Sequence, residues 1–570
     1  MSNSLSKRLK KSKHFSLLPL ITLLRLLTRR GDTVYKKETR SFDMVTFTRT
    51  DQSFDISTTV DPSYVIALIR KLLPSDIKDG VHAVRSDLIC EQHKAEGRKE
   101  DAVDLRENGG EAEAMESFEN YGKLDRPEPR SDEHDQAGST REEIWEECGC
   151  ILWDLAASED HAQFMVENLI LEVLLANLVV SQSSRITEIS LGIIGNLACH
   201  EMSRKKIAST NGLVGVIVEQ LLLDDVPCLV NPAGRVLTLC LQSGEGVIWA
   251  EALQAEPILS RILWIAENAL NPQLIEKSVG LLLAVLESQQ EVAALLLPSF
   301  LKLDLSSLLI KLLAFEMSKL QGDRIPERYP VLDLILRTIE ALSTMDDYSQ
   351  EICLNRELLQ LVKELIKLPD KFEVASSCVT AAVLIANILT DSKDVASELS
   401  KVNENETITV CLVSDLNFLQ GLFDVFPFAS DDTEARSAIW SVISRLLMLV
   451  QESEMSPSIF HHLVSILASK LDQIEDDLLA RPLDYGEYKV VDTPGTKMDA
   501  KFIAVSFKMN SPSHLLTEWG YINLMKRISD ILTRWKFLDD RVKSTSSMED
   551  YYINEEDVDK LLHCCCNASR

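Results

Sequence analysis

The chain has 570 residues, a formal net charge of −29 and 45% hydrophobic residues, with 6% aromatics, 21 Gly and 18 Pro. That length suits several average domains or one long repeat array, with ample apolar material for a core. Collagen-like, mucin-like and disulfide-scaffold classes are excluded, and Cys residues inside apolar runs, such as Cys199, Cys240 and Cys378, read as reduced core thiols of an intracellular protein.

The charge is unevenly spread. Residues 1–50 hold 12 Lys+Arg against 3 Asp+Glu, so the remainder holds 47 basic and 85 acidic side chains. Such a body repels phosphate backbones, which argues against a nucleic-acid partner and for a Lys/Arg-rich one.

Residues 1–60 read as a basic, disordered extension. Within them Phe15–Leu27 resembles a short signal core, but Pro19, Arg25 and the Arg29-Arg30 ending interrupt it. The Arg/Ser-rich composition also suits an organelle-import signal. Lys7-Arg8-Leu9-Lys10-Lys11-Ser12-Lys13 suits a nuclear address, and Met44 is an alternative start. No other segment reads as an apolar run of membrane length, so no membrane span is expected.

Val65, Ile66, Leu68, Ile69 and Leu72 predict a short amphipathic helix over 61–75, ended by Pro74. Residues 86–140 lose that periodicity. Between Glu91 and Thr140 there are 15 acidic and 7 basic residues, which predicts a disordered acidic linker separating the helix from everything downstream.

Residues 141–480 change to long apolar helices joined by short polar turns. Ile186, Ile189, Ile193 and Leu197 line one helical face. Candidate caps at Ser184, Asp225 and Asn271 are 41 and 46 residues apart, with Pro227 and Pro272 in the first turns that follow. Apolar clusters around Leu197, Leu239 and Leu286 are spaced by 42 and 47. Two markers with one period predict an all-α, armadillo/HEAT-like α-solenoid. Pro232 should kink its helix.

The unit from Gly192 to Leu223, with Gly195-Asn196-Leu197-Ala198 and then Asn211-Gly212-Leu213, resembles an armadillo repeat. Ile151–Ala156 and Ile385–Leu389 read as equivalent helix ends. Ile144-Trp145 through Trp153-Asp154, Gly192–Cys199 and the early Ser63–Ile69 helix are similar to the serum amyloid A-like family of armadillo-type proteins. That resemblance implies a non-enzymatic protein, often nuclear. Beyond the repeats, 481–545 reads as a β-like insertion around Pro494-Gly495 and then a closing helix, and 546–570 reads as a flexible tail.

Little in the chain carries chemistry. Asp492–Lys497 lacks the leading Gly of a phosphate loop, and Cys148-Gly149-Cys150 lacks a second ligand pair, so no metal or cofactor is expected. His563-Cys564-Cys565-Cys566 suits a soft metal, an acyl chain or an exposed redox-sensitive tail. His461-His462 reads as surface. With no catalytic motif, an enzyme is not expected.

The remaining candidate is a concave, acidic groove lined by the third helices. Asn196 and Asn387 could bond the backbone of an extended peptide, with Trp153 as an aromatic wall and Asp154 beside it. The structural alternatives are that Asn196 bonds a neighbouring loop and that Trp153 is core. The leading function is a scaffold for a protein or peptide partner; the alternatives are a nuclear transport adaptor and an Hsp70-type chaperone co-factor. The expected location is nucleus and/or cytoplasm.

Overall fold

The computed structural model describes residues 60–74, 133–222, 227–345, 349–399, 415–452, 456–478, 518–542 and 554–568. The basic extension, most of the acidic linker and the β-like stretch 481–517 lie outside the described residues. Among the described residues every regular element is a helix. The chain divides into two compact units, Met1–Ala252 and Leu253–Arg570.

Unit 1 holds α1 (Pro62–Lys71), α2 (Glu133–Leu155), α3 (Glu159–Glu167), α4 (Ile170–Val180), α5 (Ser184–Leu197), α6 (Glu201–Ser209), α7 (Leu213–Glu219) and α8 (Pro227–Leu241), with α9 (Gly246–Leu253) at the boundary. The triplets α3–α4–α5 and α6–α7–α8 are two three-helix repeats. Their third helices stack with α2 in one row, α2 on α5 and α5 on α8, while α4 packs on α7 in a second.

Unit 2 repeats the arrangement. Its third-helix row is α11 (Pro272–Leu286), α14 (Tyr329–Ser343), α17 (Ala375–Leu399), α19 (Thr433–Glu452) and α22 (Glu518–Val542). Its middle row is α10 (Glu256–Asn268), α13 (Leu305–Gly322), α16 (Arg356–Ile366) and α18 (Leu416–Phe423). The short first helices are α12 (Gln290–Lys302) and α15 (Ser349–Cys353), and α20 (Pro457–Ser469), α21 (Leu471–Leu478) and α23 (Glu555–Ala568) close the unit. This is an all-α solenoid of armadillo type.

The rows explain the composition. A third helix has a neighbour on each side and a middle helix behind it, so its apolar face is broad. In α11 every residue from Leu281 to Leu286 is buried. The stretch Phe372–Thr390 is long and apolar enough to cross a membrane, which corrects the expectation that no such run exists. Its apolarity has a packing origin, because α17 is enclosed by α14, α16 and α19.

The first repeat departs from expectation. Helix α1 is not separated from the body: Val65, Leu68, Ile69 and Leu72 are all at most 2% exposed, and α1 packs on α2. It occupies the place that α4 takes beside α5. Helix α2 also starts inside the expected linker, at Glu133, where acidic residues suit a helix N-terminus. At the other end, residues 555–568 are not a loose tail. Val558, Leu561 and Cys565 are buried where α23 packs on α20, α21 and α22. Val558, Leu561 and Cys565 fall at i, i+3, i+7, and the polar residues around them had concealed that apolar face.

Two smaller corrections concern helix starts. The α5 cap is Ser183 rather than Ser184, and its side chain accepts from the Ile186 N–H. Asn271 caps α11 as expected, accepting from Gln273 N–H at 2.9 Å. The Asp225 cap lies outside the described residues, and α8 runs as one helix through Pro232.

The turn from first to middle helix recurs with a left-handed residue. Gly212 has φ 79° before α7, while Leu169 before α4 and Asp304 before α13 hold φ 68° and 67°. Only Gly adopts this backbone without strain. Leu169→Gly and Asp304→Gly should each stabilise the chain by about 0.5–1 kcal/mol, and Gly212→Ala should cost about 1 kcal/mol, read as midpoint shifts in urea denaturation.

Candidate functional site: the third-helix ladder

The third helices end in carbonyls without intrahelical donors. Near the end of α2 the Ala157 N–H turns to the Asp154 carbonyl, which leaves the Trp153 carbonyl to be satisfied from outside. Asn196 of α5 does this: its Nδ2 donates to Trp153 O at 2.8 Å. Arg235 of α8 then donates from Nη1 to Asn196 Oδ1 at 3.1 Å. One side-chain amide therefore links three successive ladder helices.

Asn387 repeats the device in unit 2. It is 5% exposed, and its Nδ2 donates at 2.9 Å to the Ser343 hydroxyl, on the last residue of α14. Arg337 of α14 donates to Glu287, the residue that ends α11, at 3.2 Å. Arg445 of α19 donates to the Leu389 carbonyl of α17 and to Thr390 Oγ1. Each polar side chain ties its helix to the one before it. Asn196 and Asn387 thus share a structural task, and Asn387 is buried by it.

Trp153 is half-buried, and its ring lies on Gly192 of α5. A Cβ on Gly192 would sit 2.3–2.6 Å from the indole atoms, so only glycine admits the ring there. Asp154 next to it is exposed. Trp153 and Asn196 are thus brought together where α2 meets α5, with exposed Asp154 next to Trp153 in the chain, whereas Asn387 lies in unit 2. Sequence reading missed Arg235, which stands on the exposed side of Asn196. The small Gly192 and Gly195 in the Asn196 helix were the available signal for a close neighbour.

Charge along the ladder is not uniform. From Glu142 to Ser184 the chain carries Glu142, Glu143, Glu146, Glu147, Asp154, Glu159, Asp160, Glu167 and Glu172, with no Lys or Arg. Later ladder helices are near balance: α5 pairs Arg185 with Glu188 at 2.7 Å, α8 has Arg235 alone, and Ala375–Thr390 of α17 has no charged residue. The acidity expected along a whole groove is concentrated, among the described ladder helices, on α2.

Titratable groups elsewhere serve the fold. Cys240 and Cys378 are buried and burial pushes both thiols up to about 12, as core thiols require. Cys199 is exposed instead, with Arg235 Nη2 3.5 Å from its sulfur. Burial raises the Glu340 carboxyl on α14; Arg337 opposes the shift, and Glu287 and Glu434 add to it. A cleft lined by Glu316, Lys319 and Arg328 has its central charges paired, with Arg328 Nε donating to the buried Glu316 at 2.8 Å. Among the described residues no group of three or more His, Cys, Asp or Glu is placed to hold a metal. Cys565 is buried in α23, between half-buried Cys564 and exposed Cys566.

No family model matches the chain. It is similar to Protein SAAL1 of Homo sapiens, 31% identical over 148 residues, covering 26% of this chain and 31% of that one. The Danio rerio protein saal1 is 31% identical over 147 residues with the same shares. The chain thus spans about a third of the length of the curated relatives it matches. Among solved structures, a computationally designed armadillo repeat protein for modular peptide recognition gives a TM-score of 0.35 at 15% identity, covering 44% of this chain and 97% of that one. A chain from work on the phosphorylation switch between cadherin and β-catenin gives 0.41 at 14% identity, covering 75% and 68%.

Two tests follow from the ladder. Gly192→Ala should cost about 2–3 kcal/mol through collision with Trp153, and Asn196→Ala about 1–2 kcal/mol by orphaning a carbonyl, both from chemical denaturation. The folded chain holds the Glu340 proton more tightly than the unfolded chain does. Stability is therefore lost as pH rises from the ordinary carboxylate value through the raised one. Glu340→Gln should melt higher than wild type at pH 7, and the two should converge below about pH 4.

Proposed function

We propose that this protein is a non-catalytic armadillo-type scaffold of the serum amyloid A-like kind, acting in the nucleus or cytoplasm. It holds a Lys/Arg-rich segment of a protein partner against the α2–α5 face of unit 1. The observation that carries this reading is the run of nine acidic residues without a basic one from Glu142 to Ser184. On α2 that run places exposed Glu142, Glu143, Glu147 and Asp154 along the same helix as half-buried Trp153.

The parts divide the work. The carboxylates attract and orient a basic segment, an effect that weakens with salt. Trp153, fixed by Gly192, offers a rigid aromatic surface for an Arg guanidinium or an aliphatic stem. Asn196 is a positioning residue that holds the Trp153 carbonyl and receives Arg235. The local identity to the SAAL1 proteins supports the family assignment, and the solenoid architecture supports a binding role.

Fluorescence anisotropy with a labelled octapeptide of alternating Lys and Arg tests this. Binding should be measurable at low salt, weaken steeply at high salt, and fall about tenfold or more in Glu147→Lys/Asp154→Lys. Equal affinity in that variant, or equal binding of an Asp/Glu octapeptide, would sink the assignment.

A further inference from the structure

Arg235 is an exposed cation in a chain that is acidic overall. After residue 50, acidic side chains outnumber basic ones 85 to 47, and Arg235 is the single charged residue of α8. Its partners among the described residues are nevertheless neutral. Nη1 donates to Asn196 Oδ1 at 3.1 Å, and Nη2 donates to Cys199 Sγ at 3.5 Å. The Asn196 amide is itself oriented by its bond to the Trp153 carbonyl, so its Oδ1 is turned to the guanidinium. Two contacts to α5 and the residue after it thus hold the head of Arg235, and use two of the five N–H donors of a guanidinium.

Neutral acceptors fix a guanidinium without cancelling its charge, whereas a carboxylate partner in the chain would neutralise it. The remaining donors suit an oxyanion, and the position of Arg235 decides what carries that oxyanion. Two hydrogen bonds across one amide group link Arg235 to Trp153, which puts the guanidinium within about 8 Å of the Trp153 carbonyl. Exposed Asp154 follows Trp153, and exposed Glu147 lies on the same helix. Carboxylates this close repel a free anion, but an oxyanion carried by a basic segment is brought past them. An extended chain advances about 3.3 Å per residue, so that separation corresponds to two or three residues of a bound segment.

We propose that Arg235 binds an oxyanion side chain of the partner, two or three residues from the Lys/Arg block held beside Asp154. The inference rests on the basic-segment reading given above and narrows it: the bound segment is of mixed charge, with a carboxylate or a phosphorylated serine flanking its basic block. Asn196 and Cys199 are positioning residues for the guanidinium. A uniformly basic segment binds less well, because it sets a cation against Arg235.

Fluorescence anisotropy on the full chain tests this with three labelled peptides. One is Ser-Gly-Lys-Arg-Lys-Arg-Lys-Arg-Gly-Ser, and the others carry glutamate or phosphoserine in place of both serines, so that either chain direction presents the group. These replacements lower the peptide's positive charge, and attraction to α2 alone would therefore weaken binding. At least one oxyanion peptide should instead bind wild type about fivefold or more tighter than the serine form. A gain with both assigns a site for carboxylate and phosphate alike, and a gain with phosphoserine alone assigns phosphate. Arg235→Gln should abolish the gain, while Arg235→Lys, which keeps the charge without the planar fork, should retain part of it. No gain in wild type while the serine form binds, or the same gain in Arg235→Gln, would overturn this inference and leave the acidic-face reading standing. Failure of the serine form to bind wild type would overturn both.

Discussion

A helix with a broad apolar face must be covered on most sides, and here neighbouring third helices and the middle helices behind them supply that cover. The stacking of third helices is therefore the constraint on which the remainder rests. It explains why Leu281–Leu286 is buried throughout and why Phe372–Thr390 is apolar enough to pass for a membrane span while enclosed by other helices. It also explains why the row needs ends. Helix α1 covers α2 at one end of unit 1, and α23 covers α22 at one end of unit 2.

One polar residue of the ladder, Asn196, answers a second constraint, the unsatisfied carbonyls at helix C-termini; the others tie successive helices together. Asn196 reaches Trp153, and Asn387 reaches the hydroxyl on the final residue of α14. Arg337 pairs instead with the Glu287 carboxylate just past α11, and Arg445 donates to the Leu389 carbonyl within α17. Side-chain amides suit this task because they donate and accept at fixed geometry. The same property makes asparagine a plausible peptide ligand on sequence grounds, so its role is decided by whether a neighbouring helix end lies within 3 Å.

The repeat period was legible because proline-opened caps and leucine clusters recur together, and Asn271 stands where that period predicts a cap; Gly212, part of the armadillo resemblance, takes a left-handed turn. Long-range partners were not legible. Nothing local to residues 61–72 indicates that Trp145 and Asn177 close over its last carbonyl, since those contacts span 73 and 105 residues. Leu169 and Asp304 hide the same turn that Gly212 announces, because their side chains do not advertise a positive φ. Overall charge also misled. A strongly acidic chain suggested an acidic groove throughout, whereas the described ladder helices beyond α2 are close to neutral.

The resulting picture is a stacked scaffold whose first repeat differs from the others in charge and in how it is closed. Its central claim is that recognition occurs at the α2–α5 face beside Trp153. Site-specific photo-crosslinking in an extract of the source cells tests this most directly, with benzoylphenylalanine placed at residue 153 in one full-length chain and at exposed Trp264 on α10 in another. The account predicts crosslinks from position 153 to a Lys/Arg-rich segment of a partner, and none from position 264. Crosslinks from position 264 alone, or from 153 to acidic segments, would contradict it.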